Sequence, residues 1–284
     1  MTTVHANRVF SFIRGRAYLS CLILCLGACV DISADRPGKA SLPAGWRTEP
    51  VRAGEFTLRL FGPVIPAEVP RLHVYLGGDG LAFSSRYSVS RDPTPRRHLG
   101  LRLAEADSAP AVFLARPCYY GAASEPPCAP DLWTARRYGP VVVNAVLEAL
   151  THIGRRHPHA AITLVGYSGG GVIALLAARG HPRVDIVVTV AAPLDVAAWT
   201  RLHDYTPLAA GSDPAQLPDW PARLRQVHLV GEDDGQVPPA IARSFRQSPG
   251  ARGADIRLLH LPGYDHRCCW VENWPRLLEQ LTSR

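Results

Sequence analysis

The chain has 284 residues, 47% of them hydrophobic and 19% charged, a balance that excludes large-scale disorder and suffices for one sizeable hydrophobic core. Its formal net charge is +7, and Arg8, Arg14 and Arg16 of that excess lie in a segment expected to be removed, so the charge is too mild to argue for a nucleic-acid partner. Lys39 is the only lysine; the positive charge is almost all arginine, which reads as coding bias before it reads as anion recognition.

Residues 1–28 carry three arginines and no acidic residue, with an apolar core from Ala17 to Leu26 that is too short to span a bilayer. This is the pattern of a secretory signal. Its end, Leu26-Gly27-Ala28-Cys29, resembles the lipobox of bacterial lipoproteins. The resemblance implies that Cys29 is lipidated and begins the mature chain, anchoring it to a membrane of the bacterial cell envelope, facing the periplasm or the exterior. Ordinary cleavage near Ala28 and an uncleaved anchor are the alternatives. Residues 29–51 are polar with proline and glycine, as expected of a tether, so the folded domain is expected over 52–284.

Glu55 to Phe61 alternates apolar and polar residues, which predicts a half-exposed strand at a sheet edge. Leu72 to Leu76 predicts a more deeply buried strand that runs into Gly77-Gly78-Asp79-Gly80. The glycines of that loop let backbone N–H groups come close to a reacting group. It is not a phosphate-binding loop, because the lysine and the serine or threonine that should follow are missing. Asp92-Pro93-Thr94-Pro95 predicts the start of a helix with Leu99, Leu103 and Ala106 on one face. Ala111 to Ala115 predicts a strand, followed by a proline-rich loop holding Cys118 and Cys128. In an oxidising compartment these two are expected to form a disulfide, contributing about 2 to 3 kcal/mol. Val141 to His157 carries apolar residues at helical spacing.

The organising stretch is Ala160 to Arg179: an apolar run, then Gly166-Tyr167-Ser168-Gly169-Gly170, then an alanine- and leucine-rich segment. It reads as strand, sharp turn and helix, the setting in which G-x-S-x-G forms a nucleophile elbow. Val184 to Val190 is an almost unbroken β-branched run, predicting a central parallel strand, and Asp195 is placed to cap a helix that follows. Alternating strands and helices imply a parallel sheet. Residues 196–225 interrupt the alternation with Trp199, His203, Tyr205, Trp220 and several prolines, as a small cap over a pocket would. Tyr167, Trp199, His203 and Tyr205 are candidate substrate contacts.

A neutral serine needs a base, itself oriented by an acid. Val227 to Val230 predicts a strand leading into Gly231-Glu232-Asp233-Asp234-Gly235-Gln236-Val237-Pro238, and Ile256 to Leu261 a last strand leading into Pro262-Gly263-Tyr264-Asp265-His266. The order serine, acid, histidine, each after a strand, resembles the α/β-hydrolase superfamily from about Arg52 onward. The resemblance implies an α/β-hydrolase fold: a mostly parallel central sheet flanked by helices, with a small cap insertion. It implies Ser168 as nucleophile, His266 as base and Asp234 as acid, with Asp233 the runner-up. Oxyanion donors would be the N–H of Gly169 and that of Asp79 or Gly80. The implied reaction is hydrolysis of a small-molecule or lipid carboxylic ester through an acyl-enzyme, by a monomer without cofactor or metal.

An acyltransferase, amidase or peptidase would use the same residues, and a non-catalytic envelope binding lipoprotein is the reading from another class. Two features depart from the superfamily pattern. The loop before Asp79 lacks the histidine often found there, and Cys268-Cys269 follows His266 closely. A disulfide that fixes this loop is expected, its partner unassigned.

Overall fold

The computed structural model describes residues 42–209, 211 and 213–282. Cys29, the expected signal and most of the expected tether lie outside the described residues. The chain runs β1 (Arg47–Ala53), β2 (Phe56–Gly62), β3 (Arg71–Leu76), a short hairpin of β4 (Phe83–Ser85) and β5 (Ser88–Val89), α1 (Leu99–Glu105), β6 (Ala111–Leu114), α2 (Pro140–Arg156), β7 (Ala161–Tyr167), α3 (Gly169–Gly180), β8 (Val184–Val190), α4 (Val196–Leu202), β9 (Arg225–Gly231), α5 (Pro239–Gln247), β10 (Asp255–Leu261) and α6 (Trp274–Thr282).

Among the described residues eight strands form one sheet in the order β1-β2-β6-β3-β7-β8-β9-β10. From β6 to β10 every neighbouring pair is parallel, while β1 and β2 join antiparallel at one end. The sheet is thus mostly parallel and flanked by helices. Its central strands are buried on both faces, with Leu72, Val74 and Leu76 on one face of β3 and Tyr75 on the other, and with Leu164 of β7 and Val187 of β8 fully buried, as strands covered by helices on both sides must be. Helix α2 turns Val142, Ala145, Val146, Ala149, Leu150 and Ile153 inward. Its helical period is the one legible in the sequence. Helix α6 is tied to β3 by Trp274, whose Nε1 donates to the Tyr75 hydroxyl at 2.8 Å. That hydroxyl in turn donates to Asp107 at 2.6 Å.

Three expectations are corrected. The tether expected over 29–51 ends sooner, because Arg47 to Val51 already belongs to β1 and pairs with Gly62 to Leu58 of β2. The strand expected at the edge, β2, lies one place inside it; β1 is the edge strand. With Pro50 in it and little buried besides Val51 and Ala53, β1 has the composition an edge tolerates and gives little apolar signal. The helix expected from Asp92 begins only at Leu99. Asp92 and Thr94 each precede a proline, which drives both out of the helical region, and the Asp92 side chain folds back to accept from Thr94 N at 2.9 Å.

Candidate active site

Parallel strands place their C-terminal ends at one side of the sheet, where ligands collect. The loops after β3, β7, β9 and β10 all open there. At the end of β7 the chain reverses within one residue. Ser168 takes φ 52° and ψ −128°, a backbone region that non-glycine residues rarely enter and that is held only where the surroundings enforce it. They do so here by close packing on both sides. A Cβ on Gly166 would lie 2.4 Å from the Gly170 carbonyl oxygen, and one on Gly170 would lie 2.4 Å from that of Gly77, so both positions must be glycine. Ser168 N donates to Val190 O at 2.8 Å and Gly171 N to Ser168 O at 2.8 Å, fixing the turn to β8 and to the first turn of α3. The serine therefore projects at a helix N-terminus, where N–H groups lack partners in the helix.

The structure brings the three expected polar side chains into one chain of hydrogen bonds. His266 Nδ1 donates to Asp234 Oδ2 at 2.8 Å, and the Ser168 hydroxyl donates to His266 Nε2 at 3.1 Å. Both contacts are met by the tautomer protonated on Nδ1, leaving Nε2 free to accept. Asp234 is 2% exposed, and its other oxygen accepts from Gln236 N and Val237 N, each at 2.8 Å. The carboxylate is thereby locked and pointed at the imidazole. Asp233 is exposed to solvent, with its backbone N–H spent on Tyr264 O. The His266 carbonyl accepts from the Tyr167 hydroxyl at 2.8 Å, so the residue before the elbow serine also fixes the histidine loop.

The glycine-rich loop after β3 lies against the elbow. A Cβ on Gly78 would come within 3.0 Å of Ser168 Cβ, which makes Gly78 the loop residue packed on the serine. Asp79 follows, and its carboxylate lies over Gly169, where a Cβ would meet Oδ1 at 2.1 Å. Gly80 turns away onto Pro93, whose carbonyl oxygen a Cβ would meet at 2.1 Å. The Asp79 side chain is clamped. Arg116 Nη1 donates to Oδ1 at 2.6 Å, Arg137 Nη1 to Oδ2 at 3.0 Å and the Tyr138 hydroxyl to Oδ2 at 2.6 Å. The Tyr119 hydroxyl donates to the Asp79 carbonyl at 2.9 Å. Burial alone would raise the Asp79 carboxyl, but the charges of Arg137 and Arg116 with the Tyr138 hydroxyl more than offset it, leaving it below its ordinary range.

Sequence reasoning found Asp79 for its N–H and missed Arg116, Arg137 and Tyr138. Arg116 carried a signal, since it stands directly after β6 at the ligand-bearing end of the sheet; Arg137 and Tyr138 carried none.

Ser168 and His266 open onto a cleft of about 2020 Å³ that is also lined by Tyr167, Trp199, His203 and Tyr205, so all four candidate contacts reach it. The three cap residues form one aromatic cluster. His203 and Tyr205 stack at 5.2 Å, Trp199 meets Tyr205 edge-on at 5.3 Å, and Trp199 Nε1 and His203 Nε2 both donate to Gln236 O at 2.8 Å. Of the segment expected as a cap, the part from Trp199 to Leu208 borders the cleft. Trp220 instead lies buried, donating to Gly250 O, so the second part packs away from the cleft. Asp195 caps α4 by accepting from Ala198 N at 2.8 Å.

Cys118 and Cys128 are joined, with Cα atoms 5.5 Å apart. Cys268 is joined to its neighbour Cys269, which supplies the partner left unassigned by sequence. Among the described residues no group of three or more histidine, cysteine, aspartate or glutamate side chains is arranged to hold a metal ion.

No family model and no curated protein matches the sequence. Solved structures do resemble it. A puromycin hydrolase is 18% identical with a TM-score of 0.55, over 82% of this chain and 38% of that one, so the chain spans well under half of that protein's length. The esterase domain of a Rhodothermus marinus protein is 15% identical with a TM-score of 0.52, over 83% of this chain and 95% of that domain. Carboxyl esterase 2 of the mycorrhizal fungus Tuber melanosporum is 14% identical with a TM-score of 0.55, over 86% and 87%. On its sheet order, its elbow and its likeness to these structures, the chain has the α/β-hydrolase fold.

Proposed function

We propose that the protein is a serine hydrolase that cleaves carboxylic esters through an acyl-enzyme. The observation that carries this reading is the unbroken hydrogen-bonded chain from Asp234 through His266 to Ser168, ending on a hydroxyl that faces an open cleft. His266 Nε2 takes the proton as Ser168 Oγ attacks the carbonyl, and Asp234 stabilises the imidazolium that forms. The N–H groups of Gly169 and Asp79 receive the developing oxyanion. His266 then returns the proton to the departing alcohol, and a water deprotonated by the same nitrogen releases the acid. The chemistry requires no cofactor.

Esters are favoured over amides because several solved structures of this fold are named as esterases. The Leu26-Gly27-Ala28-Cys29 pattern supports placing the enzyme in a bacterial cell envelope, lipid-anchored through Cys29. The test is turnover of p-nitrophenyl esters by the detergent-solubilised full chain. An initial burst of p-nitrophenol followed by slower steady release is expected, with Ser168→Ala losing both. Equal turnover by parent and Ser168→Ala, both folded, would overturn the reading.

A further inference from the structure

Arg137 is a fixed cation at the wall of the cleft. Its Nε donates to Thr134 O at 2.7 Å and its Nη1 to Asp79 Oδ2 at 3.0 Å. Its own carbonyl is held by Arg116 Nη2 at 2.7 Å. The side chain is 14% exposed and lines the cleft together with Ser168 and His266. Its remaining terminal nitrogen, Nη2, takes no partner among the described residues. Nothing about this arginine resembles a mobile surface charge: two contacts fix the guanidinium, a third fixes its backbone carbonyl, and one edge is left open.

The charge of the cluster is unbalanced. Arg116 and Arg137 face the single carboxylate of Asp79, and Arg116 is 2% exposed, so one positive charge is left over in a poorly hydrated place. The cluster adjoins the serine turn through Asp79, whose Oδ1 lies over Gly169, while Arg137 holds the other oxygen, Oδ2, and lines the same cleft as Ser168. An uncompensated charge with little water around it is costly and favours a counter-ion. Further along the cleft Arg86, Arg96, Arg97, Arg102 and Arg267 add positive field, diluted by Glu105, Asp204 and Glu272, so the field steers while Arg137 selects.

We infer that Arg137 forms an anion subsite in the cleft and that the enzyme prefers esters whose acyl part carries a carboxylate. A singly charged group balances the cluster, whereas a doubly charged phosphate would over-compensate it. An N–H of Nη2 can donate to one carboxylate oxygen in a charge-assisted hydrogen bond. This inference rests on the serine-hydrolase reading above.

The test compares three p-nitrophenyl esters of matched length on the full chain: the hexanoate, the free-acid adipate and the methyl-capped adipate, each corrected for spontaneous hydrolysis. In the parent, kcat/KM for the free-acid adipate is expected to exceed that for the methyl-capped ester at least tenfold. In Arg137→Gln that ratio is expected to fall at least tenfold, with Arg137→Lys between the two. Equal kcat/KM for the free and capped adipates in the parent overturns the subsite, and so does a ratio that survives Arg137→Gln. Where Arg137→Gln fails to fold, Arg137→Lys carries the comparison, and a ratio unchanged in it overturns the subsite. Turnover of the hexanoate without any preference removes the subsite alone; no turnover of any ester by folded parent removes the hydrolase reading and the subsite with it.

Discussion

Two neighbouring carboxylates in one loop have opposite fates. Asp234 is enclosed, accepts two backbone N–H bonds and faces His266, while Asp233 points to solvent. Adjacent residues in an irregular loop carry no periodicity, so sequence could name the pair and rank it but could not separate it. The consequence is measurable. Asp234→Asn is expected to lower kcat by roughly 10³- to 10⁴-fold, because an amide holds the imidazole in the wrong tautomer. Asp233→Asn is expected to stay within about twofold of the parent, since no interaction with the reacting groups is lost. Steady-state kinetics on a p-nitrophenyl ester checks both, and comparable losses in the two variants would contradict the assignment. Asp79 shows the reverse case. Its place in a glycine-rich loop was legible, but what its side chain does was not, because Arg116 and Arg137 reach it from elsewhere in the chain and contact partners are not written in local spacing.

Elements were legible where burial imposes a period. Helix α2 and strands β3 and β8 show their buried faces in sequence, and the elbow between β7 and α3 is readable because only glycine survives the close approaches at Gly166 and Gly170. β1 was not, because a solvated edge strand needs few apolar residues, and neither was the short exposed hairpin β4–β5. The central strands also hold a polar element that the apolar pattern concealed. His228 on β9 lies opposite Thr189 on β8, with its Nδ1 2.9 Å from the threonine hydroxyl and its Nε2 buried without a partner. Burial pushes the imidazole down from 6.5 to about 3.

The sign of the effect on stability follows from linkage. Below pH 6.5 the unfolded chain binds a proton that the folded chain refuses, so this residue's stability is fully present above pH 6.5 and is lost as pH falls toward 3. At pH 4.5 the loss should be about 2 to 3 kcal/mol. His228→Leu should cost about 1 to 3 kcal/mol at pH 7 by leaving the Thr189 hydroxyl unpaired, yet lose correspondingly less than the parent between pH 7 and pH 4.5. Urea unfolding at the two pH values measures this. Equal acid losses in parent and variant would show that His228 is not buried as a neutral group.

At the scale of the molecule, a parallel sheet was implied by alternating strands and helices, and residues far apart in sequence had to converge because parallel strands present their C-terminal ends together. The meeting of Ser168, Asp234 and His266 follows from that geometry. The extent of the cleft and the pairing of Cys268 with Cys269 do not, since both depend on how loops pack.

If the meeting of Ser168, Asp234 and His266 makes one hydroxyl reactive, an active-site label must find it. The full chain is treated with a fluorophosphonate and the modified peptide is located by mass spectrometry. A single adduct on Ser168 is expected, lost in Ser168→Ala and strongly slowed in His266→Ala. Folded protein that takes up no label, or that carries it on another residue while Ser168 stays unmodified, would contradict it.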